Sequence, residues 1–377
     1  MGEISVKTGN NARNGGKNSL NRLIRCVCGK KIGPDPRNFN QRVSLGRNDL
    51  LIRTFLRALS CFMVVVVHVT ALTKYSIGNV SNALWGFTVI IDSASRMCVP
   101  LFLMISGYIF LNDKSVRPSN IIKIFTALVF YSLLCVAYYS VFGGVNFIDT
   151  LKTIYQKPAM YHLWYLYYIF VYYVLFFFIK VRNLNPKHGL IAVTIAMIIF
   201  NPTLNDVFYF TFGVELKNGF AIDSQYLLLL LYCFSGAFVG SMTREEVLIK
   251  SSIVICITSI ALISYMTIIK SIEIGSLAYQ YQNYITIPVY MSSISAFYIV
   301  KNINLNSSSQ KVISFISDKS LAIYGVHAII LEYVKFKKLY FFDSQFANLI
   351  VTFVIVIISS TVTATIIRTL DKRRYVS

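Results

Sequence analysis

Apolar residues run through this chain in long blocks, without strict alternation, separated by short polar segments. Blocks of that length approach the thickness of a bilayer, and they lack the two-residue period of a barrel strand. The pattern predicts an all-α, polytopic membrane helical bundle. It has about ten transmembrane helices, at roughly 50–72, 84–110, 120–142, 162–180, 189–204, 225–241, 247–269, 283–300, 313–334 and 346–368. The fifth block is interrupted near Asn201 and Pro202.

The first block carries two residues that a bilayer resists, Arg57 and His68. Eleven positions on an α-helix make almost three turns, so both side chains share a face about 16 Å apart. Cys61 and Val64 lie on the same stripe, and Arg53 begins it one turn earlier. An arginine inside a membrane helix is costly and normally faces a protein interior or a watery cavity. This stripe is therefore the first place to look for chemistry.

Composition supports the membrane reading: 55% of the 377 residues are hydrophobic and 14% charged, too much apolar surface for a soluble fold to hide. The formal charge of +20 looks like a nucleic-acid signature, but its distribution argues against nucleic acid. Ten of the 36 Lys and Arg fall within residues 1–49, and others, such as Lys114, Arg117, Arg244 and the cluster at Arg368 to Arg374, fall in alternate loops. That is a positive-inside bias, and it predicts both termini in the cytoplasm. Residues 1–49 read as a basic, mostly disordered cytoplasmic tail that attracts anionic membrane lipids, followed by a transmembrane domain over 50–377. Five of the seven cysteines fall within predicted helices, where Cys behaves as a small hydrophobe. Cys26 and Cys28 lack further ligands nearby, so no metal site is assigned.

The second block holds Asp92 and Arg96, four apart and so able to neutralise each other. They form either an ion pair that fixes helix packing or an anion-binding arginine oriented by a carboxylate. Pro100 then loosens the helix, and Ser106-Gly107 permits close backbone approach. Tyr161, His162 and Trp164 open the fourth block, where an aromatic belt or an acceptor contact explains them equally. In the ninth, His327 precedes Glu332 by five residues. His327 is either satisfied by a neighbouring hydroxyl or part of a site. His68, His162 and His327 come from separate helices with no short ligand spacing, so a zinc site is not expected.

Taken in order, these residues resemble a known family. Arg57-x10-His68, then Ser95-Arg96 leading to Pro100 and Ser106-Gly107-Tyr108, then Tyr161-His162-Leu163-Trp164, then Ser320 to Tyr324-Gly325-x-His327 follow the order of the acyltransferase-3 family. Gln156-Lys157-Pro158 and the segment Leu370 to Arg374 are similar to the branch of the enterobacterial common antigen and O-antigen O-acetyltransferases. The resemblance spans residues 50–377. It departs in two places: the basic tail is extra, and Thr54 stands where an acidic residue often precedes the motif arginine.

The resemblance implies a multi-pass enzyme of the bacterial inner membrane that transfers acetyl from cytoplasmic acetyl-CoA, with no permanently bound cofactor. The acceptor would be a sugar hydroxyl of an envelope polysaccharide, such as the O-antigen of lipopolysaccharide, or of its lipid-linked precursor. Arg57, Arg96 and Ser106 would then bind the donor, with Arg57 also catalytic and His68 the general base. Asp92, His162, Trp164, His327 and Glu332 would serve the acceptor or the structure. A flippase for lipid-linked glycan is the rival from another class, since it too needs buried charge in a helical bundle.

Overall fold

The computed structural model describes residues 36–377 apart from 113, 182–183, 304–306 and 340, with side chains from residue 52 onward except 307–308. The described part of the unit Met1–Arg53 is the start of the first helix. The basic tail expected over 1–49 therefore lies largely outside the described residues. The unit Thr54–Ser377 contains the bundle.

Every described element is helical. The first helix, α1, runs over Pro36–Lys74 and includes the run Val64 to Val67. β-Branched side chains disfavour helix in water, but a bilayer leaves the backbone no partner except itself, so the helix wins. Then follow α2 (Asn82–Ser95), α3 (Cys98–Phe110) and α4 (Pro118–Phe142). The Ser81 hydroxyl caps α2 by accepting from the Leu84 amide at 3.3 Å. Between α2 and α3 the chain breaks at Arg96 and Met97. Pro100 has no N–H to donate to the turn before it, so the break falls where the sequence predicts loosening.

The second half contains α5 (Phe147–Thr153), a 3₁₀ turn at Tyr161–Leu163, α6 (Trp164–Phe178), α7 (Pro186–Ile199) and α8 (Thr203–Phe212). After these come α9 (Gln225–Ser241), α10 (Glu246–Ile274), α11 (Ile287–Asn302), α12 (Ser307–Asp318), α13 (Ser320–Phe336) and α14 (Gln345–Leu370).

The expected ten transmembrane helices are not what the structure holds. Six described helices are long and apolar enough to cross a bilayer, and eight at most if each of two bent pairs counts as one span. The pairs are α7 with α8, bent by 59°, and Ser309–Asp318 with α13, bent by 68°. At the first bend, buried Asn201 donates to the Ile285 carbonyl at 2.5 Å and accepts from the Thr203 amide and hydroxyl at 3.0 and 2.7 Å. One side chain thus satisfies backbone that the interruption exposes. The remaining two expected spans are α9, of 17 residues, and α11, of 16. At 1.5 Å per residue these reach about 25 Å, short of a hydrocarbon core of roughly 30 Å. Hydropathy alone could not separate a helix buried in the bundle from one that crosses. The N-terminus, expected in the cytoplasm together with the C-terminus, lies outside the described residues.

Burial explains the apolar sequence of α9: eleven of its residues between Leu228 and Gly240 are buried. It crosses α3 at backbone contact. A Cβ added to Gly236 would fall on the backbone of Met104, and one added to Gly107 on the carbonyl of Cys233. Small residues let membrane helices approach this closely, and Asn112 adds a hydrogen bond to the Ala237 carbonyl at 3.0 Å. Gly236→Ala should therefore cost about 1–3 kcal/mol or more, because the obstacle is backbone that cannot rotate aside. A thermal unfolding midpoint in detergent equal to that of the native protein would contradict this crossing.

Candidate active site

Along α1 the stripe of Arg57, Cys61, Val64 and His68 faces other helices: Cys61 and Val64 are buried, and Arg57 and His68 half-buried. The Cys61 thiol lies 3.8 Å from the Ser320 carbonyl, which sets the first turn of α13 against α1. Around Arg57 opens a cavity of about 320 Å³ whose lining includes Ser106, Lys123, Asp318, Tyr324 and Arg374. Arg57 and Ser106, predicted as donor residues, are thus brought together, with two cations that the sequence reading had not assigned.

Arg374 reaches this cavity from a turn that follows α14. Asp371 accepts from the backbone amides of Tyr375, Val376 and Ser377 at 3.0, 2.7 and 2.9 Å. Tyr131 donates to the Val376 carbonyl and Lys123 to that of Ser377. Asp318 pairs with Arg368 at 3.0 Å and with Arg374 at 3.6 Å.

At the other end of the stripe three histidines meet. His68 packs on His327 with ring centroids 5.2 Å apart, and His327 on His162 at 5.1 Å. Tyr161 covers the far face of His68 at 5.1 Å. His162 donates from Nε2 to the Gly325 carbonyl at 3.2 Å, and His327 from Nδ1 to the Tyr324 carbonyl at 2.7 Å. A carbonyl can only accept, so these bonds fix both tautomers. The remaining nitrogens, Nδ1 of His162 and Nε2 of His327, are buried lone pairs with no partner among the described residues. Tyr324 connects the two ends: it lines the cavity, and its hydroxyl donates to the His162 carbonyl. Among the described residues no group of three His, Cys, Asp or Glu is arranged to hold a metal ion.

Asp92 is wholly buried and does more than pair with Arg96. Its Oδ1 accepts from Lys74 at 2.8 Å and Thr70 at 3.1 Å, and its Oδ2 from Arg96 at 2.7 Å. Arg96 in turn reaches Gln282 at 3.5 Å and lies over the Tyr284 ring, 5.6 Å from its centroid. The structure does not bring Arg96 to Arg57. Its partners Thr70 and Lys74 lie beyond His68 on α1, about 20–25 Å along the axis from Arg57. Lys74 was missed because it ends an apolar run, where a lysine ordinarily snorkels to water, and its carboxylate lies on the next helix.

Trp164 packs against Tyr284 at 5.7 Å and so flanks the Arg96 end. Glu332 sits at the rim, paired with Lys335 at 2.9 Å and accepting from Tyr161 at 3.2 Å.

An acyltransferase-domain profile of the acyltransferase-3 type matches residues 54–369, nearly the whole bundle. The chain belongs to the acyltransferase-3 family. No curated protein and no solved structure matches it. The family assignment gives a membrane-embedded acyltransferase, and the four motif segments of this acyltransferase are those that build the two ends of the stripe.

The turn over the cavity generates a pH prediction. Burial alone would push the Asp371 carboxyl up, but the amides of Val376 and Tyr375 and the Ser377 hydroxyl outweigh it and hold it below the usual range. A carboxylate held low stabilises the turn above the ordinary value of about 3.9, and that support is lost as pH falls through the lowered value. Amide protection at Tyr375 to Ser377, taken relative to the unstructured exchange rate at each pH, should be high near pH 6, fall only in acid, and be low throughout in Asp371→Ala. Fast exchange in the native protein at pH 6 would remove the turn.

Proposed function

We propose that this protein is an O-acetyltransferase of the bacterial inner membrane. It would move acetyl from cytoplasmic acetyl-CoA to a sugar hydroxyl of an envelope polysaccharide or its lipid-linked precursor. The observation that carries the proposal is continuity. Tyr324 lines the basic cavity at Arg57, its hydroxyl holds the turn that bears His162, and the histidines lead from there to His68.

Donor phosphates suit the cavity, because Arg57, Lys123 and Arg374 place three cations there against Asp318. Guanidinium forks match phosphate oxygens, and the Ser106 hydroxyl, which donates to the Phe102 carbonyl at 3.1 Å, lines the same space. The Leu370 to Arg374 segment, which carries the resemblance to the common-antigen and O-antigen branch, is also the segment that brings Arg374 to the cavity.

In the reaction the sugar hydroxyl attacks the thioester carbonyl while His68 takes its proton. A carbon–oxygen bond forms, the carbon–sulfur bond breaks, and the departing thiolate receives the proton from His68. Transfer through an acetylated His68 is the covalent variant of this scheme. It is separated by incubating the protein with radiolabelled acetyl-CoA alone: label retained on His68 supports the relay, and none under productive turnover supports direct attack. A glycan flippase would share the bundle but would release no coenzyme A.

Two substitutions test the assignment in purified protein. His68→Ala should lower acetyl transfer by about 10²–10⁴-fold while the protein still folds in the membrane. Full activity would end its role as base. Arg57→Gln should raise the acetyl-CoA concentration for half-maximal rate by roughly tenfold or more, the loss expected of one charge-assisted hydrogen bond. An unchanged donor requirement would detach Arg57 from the donor.

A further inference from the structure

The cluster of Lys74, Asp92 and Arg96 holds two cations against one carboxylate, and the three side chains are 2%, 0% and 14% exposed. Asp92 has no capacity left. Each of its oxygens already takes two donors, Lys74 and Thr70 on Oδ1 and the Nε and Nη2 of Arg96 on Oδ2. The Gln282 carbonyl lies at the limit of hydrogen bonding to Arg96, and its amide is occupied by Ser93 at 3.1 Å. The two N–H groups of Arg96 Nη1 find no acceptor among the described residues. Arg96 is also the most exposed member of the trio, so the open side of the cluster is a guanidinium.

A buried excess of positive charge is expensive, and more so within a membrane bundle, unless something supplies the missing anion. If the cluster served only to pin helices, an arginine alone would balance Asp92 and Lys74 would be a liability. The position restricts what the anion can belong to. Lys74 lies six residues beyond His68 on α1, about 9 Å along the axis, and on the side away from Arg57 and the donor cavity. Whatever binds there approaches the base from the end opposite the donor.

We propose that Arg96 and Lys74 form an oxyanion-binding site for the acceptor, so that the acylated glycan carries a carboxylate or a phosphate close to the reacting hydroxyl. The assignment rests on the acetyl-transfer reading for the word acceptor, while the anion site itself does not depend on it. Asp92 is the positioning residue: it holds both cations and sets their net charge at one. Trp164 and Tyr284 form the aromatic wall beside the guanidinium.

The test is equilibrium binding of inorganic pyrophosphate, glucuronate and glucose to full-length protein in detergent, with Arg57→Gln as the common background to weaken the donor end. One or both anions should bind at least tenfold more tightly than glucose. Arg96→Gln should weaken that anion by tenfold or more and leave glucose unmoved. Asp92→Asn is the decisive variant, because it raises the cationic excess from one to two: anion binding should tighten severalfold, whereas a damaged fold would weaken it. Preference for glucuronate identifies an acidic sugar, and preference for pyrophosphate identifies the phosphate of a lipid-linked glycan. Anion binding no tighter than glucose, or unaltered by Arg96→Gln and not tightened by Asp92→Asn, overturns the proposal. Acetyl transfer from acetyl-CoA to saccharides is measured separately on the native protein. Its absence with anion binding intact sinks the transferase reading alone.

Discussion

A carboxylate with no exposure to solvent has to be surrounded by donors, and Asp92 recruits them from two directions. Thr70 and Lys74 come from α1, Arg96 from the break after α2, and Gln282 joins through Arg96 from the 3₁₀ turn Tyr279–Gln282. The rotation of α1 about its own axis is fixed by this demand. Were α1 turned by one residue, about 100°, Thr70 and Lys74 would leave the carboxylate and His68 would leave His327. The Arg57–His68 stripe and the charged cluster are therefore one constraint seen at two heights.

The chemistry gathers where helices are interrupted. Arg96 stands in the gap between α2 and α3, His162 in a 3₁₀ turn, and Ser320 at the bend between α12 and α13. An unbroken helix consumes its own backbone groups, while an interrupted one offers carbonyls and amides that must be satisfied by side chains. The bonds from His162 to Gly325 and from His327 to Tyr324 land on carbonyls within α13 and orient both imidazoles.

Much of this could be read from the residues, though unevenly. The Arg57–His68 face follows from helical period alone, and the Asp92–Arg96 pair from a spacing of four. Gly107 announced a close approach, which α9 supplies. Three things were not legible. The span count failed because α9 and α11 are apolar for burial in protein, which hydropathy does not distinguish from burial in lipid. Lys74 gave no sign of its role, since its partner is 18 residues away and on another helix. Arg96 was grouped with Arg57 because both are arginines in neighbouring spans. Only the rotation and height of α1 against α2 reveal that they serve opposite ends, just as only tertiary packing brings Arg374 back to Arg57.

The crossing of α3 and α9 has a mechanical meaning. With backbone against backbone at Gly107 and Gly236, there is no side chain between the helices to change rotamer, so this seam is stiff. Ser106 rides on α3 beside it, which makes that wall of the cavity a fixed reference surface. The opposite wall differs: there the turn held by Asp371 and the bend before Ser320 are joined by ion pairs to Asp318 instead of by interlocked backbone. One wall of the cavity is thus set by backbone contact and the other by ion pairs.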